Sequence, residues 1–160
     1  MTRPNQGWSG PARPMAAAVN AALEAAQAGD TDDFAAAILA LGRLDRSQVT
    51  VLLGAMVRDL LERSHPDGLD SDDAHDVLES CVRFARAWYP ELDADSAVQA
   101  LIGALGVSEV DEMPRPDEMS VVAHGVLLIA DQLAILAEDL APVLDAALAE
   151  LMRAQTVELP

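Results

Sequence analysis

Val121-Val122-Ala123-His124-Gly125-Val126-Leu127-Leu128-Ile129-Ala130-Asp131-Gln132-Leu133-Ala134-Ile135-Leu136-Ala137-Glu138-Asp139-Leu140 is apolar on almost every side of a helix. A helix without a polar face lies at the centre of a bundle or in an oligomer interface. Asp117 and Glu118 precede it and favour a helix start, because their charge opposes the positive end of the helix dipole. The run from Val121 to Ala137 is broken by His124 and Asp131, short of the ~20 apolar residues that a membrane span needs. Membrane insertion is therefore not expected.

The polar exceptions are regular. His124, Asp131 and Glu138 recur every seven residues, which places them on one narrow stripe with neighbours about 10 Å apart along the axis. Groups that far apart cannot share one ion without help from another helix. The sequence leaves two uses for them: polar anchors of a cleft that binds a small molecule or metal, or a stripe satisfied by water and neighbouring arginines. Val121, Leu128 and Ile135 share a second, apolar stripe, which is expected either to mediate self-association as a homodimer or to be buried.

Working outward, Pro142 kinks this helix or begins a new one through Val143, Leu144, Ala147, Leu148 and Leu151. Residues 156–160 are expected to fray. Upstream, the punctuation is largely aspartate and glycine. Asp30, Asp45, Asp70 and Asp93 or Asp95 read as N-caps, while Gly29 and Gly106 read as helix stops. Apolar residues recur at helical spacing between them: Phe34, Ile38 and Leu41; Val49, Leu52, Leu53, Met56, Leu60 and Leu61; Ala74, Val77, Leu78, Cys81, Phe84, Ala85 and Trp88. His65-Pro66-Asp67-Gly68 is turn chemistry that closes the third helix. Residues 1–13, with Pro4, Gly7, Gly10 and Pro11, form an arm without periodicity, and 14–155 form a single domain. No segment reads as a strand. The expected fold is all-α, an irregular bundle of six or seven helices, several short, around an apolar helix near 118–140.

Composition narrows function mainly by exclusion. The chain has 160 residues with 27 acidic and 10 basic side chains, a formal net charge of −17. No basic cluster exists to meet a phosphate backbone, so nucleic acid is not an expected partner. Glycine-rich phosphate loops, Cys-x-x-Cys pairs and His-Glu-x-x-His are all missing from the sequence, and no cofactor or catalytic cluster is expected. Cys81 lies on an apolar helix face and reads as a buried, inert thiol, compatible with a cytoplasmic protein. Trp88 and Tyr89 beside Pro90 read as core packing at a helix end.

The acid-rich stretch 67–79 has neither the glycine nor the glutamate that a calcium loop requires in register. Its residues Asp72, Asp76 and Glu79 instead share one helix face. They are the candidate face for a protein partner of basic character. The leading expectation is a non-enzymatic protein that works by protein–protein interaction, as an adaptor, a regulator or an immunity or antitoxin-like protein. The alternative is a cleft near His124 and Asp131.

Overall fold

A computed structural model describes residues 10, 12–106 and 116–158 of the chain. Seven helices follow one another among them: α1 (Ala12–Ala28), α2 (Thr31–Gly42), α3 (Arg46–Ser64), α4 (Ser71–Arg86), α5 (Ala94–Leu105), α6 (Glu118–Leu136) and α7 (Leu140–Glu158). No strand occurs among the described residues.

Aspartate starts five of these helices. Asp30, Asp45, Asp70, Asp93 and Asp117 each accept the backbone N–H three residues on, from Asp33, Gln48, Asp73, Ser96 and Ser120. Each such cap contributes about 1 kcal/mol by pairing a donor the helix cannot satisfy itself. At Asp70 the arrangement is reciprocal, because the Asp73 carboxylate accepts the Asp70 N–H at 3.1 Å.

α6 is the axis of the bundle. Every residue from Val122 to Leu133 is buried, and the helix packs against α1, α2, α3, α4 and α5. Among the described helices it is the one long and apolar enough to cross a membrane, but about two-thirds of that stretch is covered by the other helices. Small residues let neighbours approach it closely, and Leu127, Leu128, Ile129 and Leu133 fill the centre. At one end, Phe34 meets Trp88 and Tyr89 edge-on, with ring centroids 5.2 Å apart in both pairs. Gly29 lets the α1–α2 turn pass beneath them. It has φ +65°, and the Trp88 side chain stands 3.5 Å from where a Cβ would project.

The structure corrects three sequence expectations. α1 begins at Ala12, which is buried, rather than after an arm reaching residue 13. Pro14 still falls in the first turn, where a missing N–H costs nothing; residues 1–9 and 11 lie outside the described ones. α7 keeps helical backbone to Glu158. α6 stops at Leu136, so Glu138 is not on the same helix as His124 and Asp131. Helix continuing through Pro142 would press its ring against the Glu138 carbonyl. The chain instead turns at Ala137, in the left-handed region at φ 53°, and the Glu138 N–H bonds back to the Leu133 carbonyl. Finally, the stripe Val121, Leu128 and Ile135 is not one surface. Leu128 is fully buried, Val121 half-buried and Ile135 exposed. A Leu128 substitution therefore probes the core and not a dimer contact.

Ala137 is an L-residue where glycine is the comfortable choice. Ala137→Gly is expected to raise stability by about 0.5–1 kcal/mol, since left-handed strain outweighs glycine's greater freedom in the unfolded chain. A urea midpoint at or below wild type would contradict this.

Candidate functional site

The sequence pointed to three polar residues on the axial helix, and the structure separates them. His124 is completely buried, Asp131 nearly so, and Glu138 lies exposed beyond the helix end. Each reaches a different neighbour. His124 Nε2 accepts the Asp93 N–H at 2.9 Å, and Nδ1 lies 2.7 Å from the Ser120 carbonyl oxygen. The Ser80 hydroxyl of α4 donates to Asp131 Oδ2 at 2.7 Å. Arg63 of α3 stands 3.8 Å from Glu138. The three residues thus make separate attachments, His124 to the head of α5, Asp131 to α4 and Glu138, beyond the end of α6, to α3.

Their ionisation follows from burial. Burial pushes His124 below the ordinary histidine value, against the opposing pull of the Ser120 carbonyl and the Asp93 carboxylate. Burial likewise raises Asp131 above the carboxylate range, partly offset by the Ser80 hydrogen bond and by Arg83. Gln132, also buried, places Oε1 3.5 Å from the Ser64 hydroxyl. Each of these groups is held by a residue of the fold itself: His124 by Asp93 and Ser120, Asp131 by Ser80 and Gln132 by Ser64.

Cys81 is buried, and burial followed by the nearby Asp131 charge pushes its thiol up to about 12. A thiol so rarely ionised is a poor nucleophile. Asp72, Asp76 and Glu79 are exposed on α4. His75 sits 3.9 Å from Glu79, one turn away on the same surface. Among the described residues no three histidine, cysteine or acidic side chains gather in a way that would hold a metal ion.

A concavity lies elsewhere. A groove of about 610 Å³ runs between α3, α5 and the start of α6. Each helix contributes residues at helical spacing: Ser47, Thr50, Val51 and Gly54 from α3; Gln99, Ala100, Gly103 and Ala104 from α5; Val121, Val122 and Gly125 from α6. The floor is small and apolar. Arg46 and Glu118, paired across α3 and α6, mark one end. Val51 is about half exposed at the lip.

Its three glycines are not explained by crowding inside the fold. A Cβ on Gly54 would meet the Ala104 Cα at 3.7 Å, one on Gly125 would meet Leu53 at 3.8 Å, and one on Gly103 would meet nothing within 4 Å. All three are helical without positive φ, and an interior glycine costs a helix roughly 0.5–1 kcal/mol relative to alanine. Alanine would fit at each position and stabilise the helix. What the glycines do keep is a wide, shallow groove.

Sequence reading passed over this groove, apart from Val121. Its one visible sign was glycine inside helical patterns at 54, 103 and 125, and nothing along the chain says that three separate helices bring them together. No family model matches the chain, and neither a curated protein nor a solved structure shows significant similarity to it.

Proposed function

We propose that this protein is a non-enzymatic, cytoplasmic binding module that takes up a helix of a partner protein in the groove between α3, α5 and the start of α6. The observation that carries the reading is the trio of glycines from three helices on one groove, none required by packing within the chain. A helix suits such a floor. It satisfies its own backbone hydrogen bonds and asks the groove only for shape and apolar contact. The polar side chains Arg46, Ser47, Thr50, Gln99 and Glu118 line the same groove and would meet the polar flank of such a helix.

The partner helix would present small or medium apolar residues inward. Its outer face would be basic, because the chain carries −17 and a complementary field speeds encounter. Asp72, Asp76 and Glu79 contribute to that field from α4. Nucleic acid and membrane do not fit the same electrostatics or the covered α6.

A photocrosslinking residue placed at Val51 in the living cell tests this. The expected adduct is one protein, crosslinked through a basic amphipathic helix, and lost when Gly103→Leu fills the groove without changing the far-UV circular dichroism. Persistence of the adduct in Gly103→Leu, or adducts only with small molecules, would overturn the proposal. Adducts only between copies of this chain would replace it with homodimerisation.

A further inference from the structure

The hydrogen bonds of His124 fix its protonation state by chemistry alone. A carbonyl oxygen can only accept, so Nδ1 must carry the proton that reaches Ser120. A backbone N–H can only donate, so Nε2 must be bare to accept from Asp93. The neutral imidazole fills both roles and the imidazolium cannot.

The bonds extend into a closed ring. Asp93 caps α5 by accepting the Ser96 N–H at 3.2 Å and the Ser96 hydroxyl at 2.6 Å. Ser96 Oγ in turn lies 2.7 Å from Ser120 Oγ, on the same α6 turn whose carbonyl holds His124. Asp93, Ser96, Ser120 and His124 therefore clasp the head of α5 to the first turns of α6. Ser96 and His124 are fully buried, which leaves little water to take over a broken bond.

We propose that His124 is an acid-sensitive latch: a proton on Nε2 sets two donors face to face, expels the Asp93 N–H and releases the first turn of α5 from α6. The titratable groups facing the imidazole are Asp93 at the head of α5 and Tyr89 in the connection from α4, whose ring centroid is 5.8 Å away. Glu91, in that connection, acts on Tyr89. Asp93 is itself held below the usual carboxylate value, first by the Ser96 hydroxyl. The attraction of its carboxylate only partly offsets the cost of a buried cation at His124. α5 forms one wall of the groove, so opening the latch loosens that wall. The latch stands on the ring of hydrogen bonds and does not depend on what occupies the groove.

Folded His124 holds its proton less tightly than the unfolded chain does. The latch is thus fully closed above the ordinary histidine value of about 6.5 and weakens as pH falls below it toward the folded value. The test is nuclear magnetic resonance of the full chain between about pH 7.5 and pH 4.5, with amide exchange corrected for its intrinsic pH dependence. The Asp93 amide is expected to shift together with the His124 ring, while protection across the start of α5 falls about tenfold and that of α3 and α7 holds. A chain carrying His65→Gln and His75→Gln should behave the same. An Asp93 amide indifferent to His124 titration would overturn the latch. So would an equal loss of protection in α3, α5 and α7, or an acid response retained by a folded His124→Asn chain. The wild-type titration decides the matter even if His124→Asn does not fold.

Discussion

A Leu128→Glu chain is expected to be unfolded at 25 °C, whereas Ile135→Glu, one heptad away, should melt within a few degrees of wild type. Leu128 is 0% exposed in the middle of the axial helix, and Ile135 is 57% exposed near its end. Removing a buried leucine costs about 2–5 kcal/mol from transfer and residual void alone. Introducing a carboxylate there adds several kcal/mol more, through burial of a charge or a forced protonation. The sum reaches the whole stability of an ordinary domain, about 5–15 kcal/mol. Far-UV circular dichroism with urea titration reads the outcome. Leu128→Ala, expected to fold with a loss of about 2–5 kcal/mol, supplies a measurable midpoint. A folded Leu128→Glu chain with a wild-type midpoint would mean that α6 is not the core.

The contrast between those two residues marks where sequence reading reaches its limit. A helix apolar on nearly all sides announces that it is surrounded, and α6 is. The aspartate caps were equally legible, because a cap is a local event: the side chain bonds its own helix three residues on, as Asp45 does with Gln48 at 3.0 Å. The exit of α6 was less so. Ala137 takes a backbone conformation that normally advertises itself as glycine, and an alanine in the apolar pattern gave no sign of the turn.

The polar stripe was visible as spacing but not as chemistry. Its partners are an N–H at the head of α5, a hydroxyl on α4 and a guanidinium on α3, and no periodicity along α6 predicts which helices lie beside it. The same limit hid the groove. Gly54, Gly103 and Gly125 each look like a weak point in its own helix, and they acquire common meaning only after α3, α5 and α6 have packed. What holds a single helix together can be read locally. What several helices build between them depends on their placement.

Asp131 allows that distinction to be tested with pH. Ser80→Ala is expected to cost about 1–3 kcal/mol at neutral pH, because it leaves a buried carboxylate without its 2.7 Å donor. The sign of the pH effect follows from the direction of the Asp131 shift, which burial drives above the ordinary carboxylate value of 3.8. The folded state holds that proton more tightly than the unfolded state. Its contribution to stability is therefore greatest below about pH 3.8 and is lost as pH rises through the folded value. Ser80 matters most where Asp131 is charged, so the penalty of Ser80→Ala should shrink as pH falls toward about 4. With Asp131→Asn in the background an acceptor remains but the charge does not. Ser80→Ala should then cost only about 0.5–1.5 kcal/mol, the range of a neutral hydrogen bond, at either pH. Urea midpoints of the four chains at the two pH values complete the cycle. An equal Ser80→Ala cost at both pH values in the wild-type background would show that Asp131 is not a buried charge held by α4.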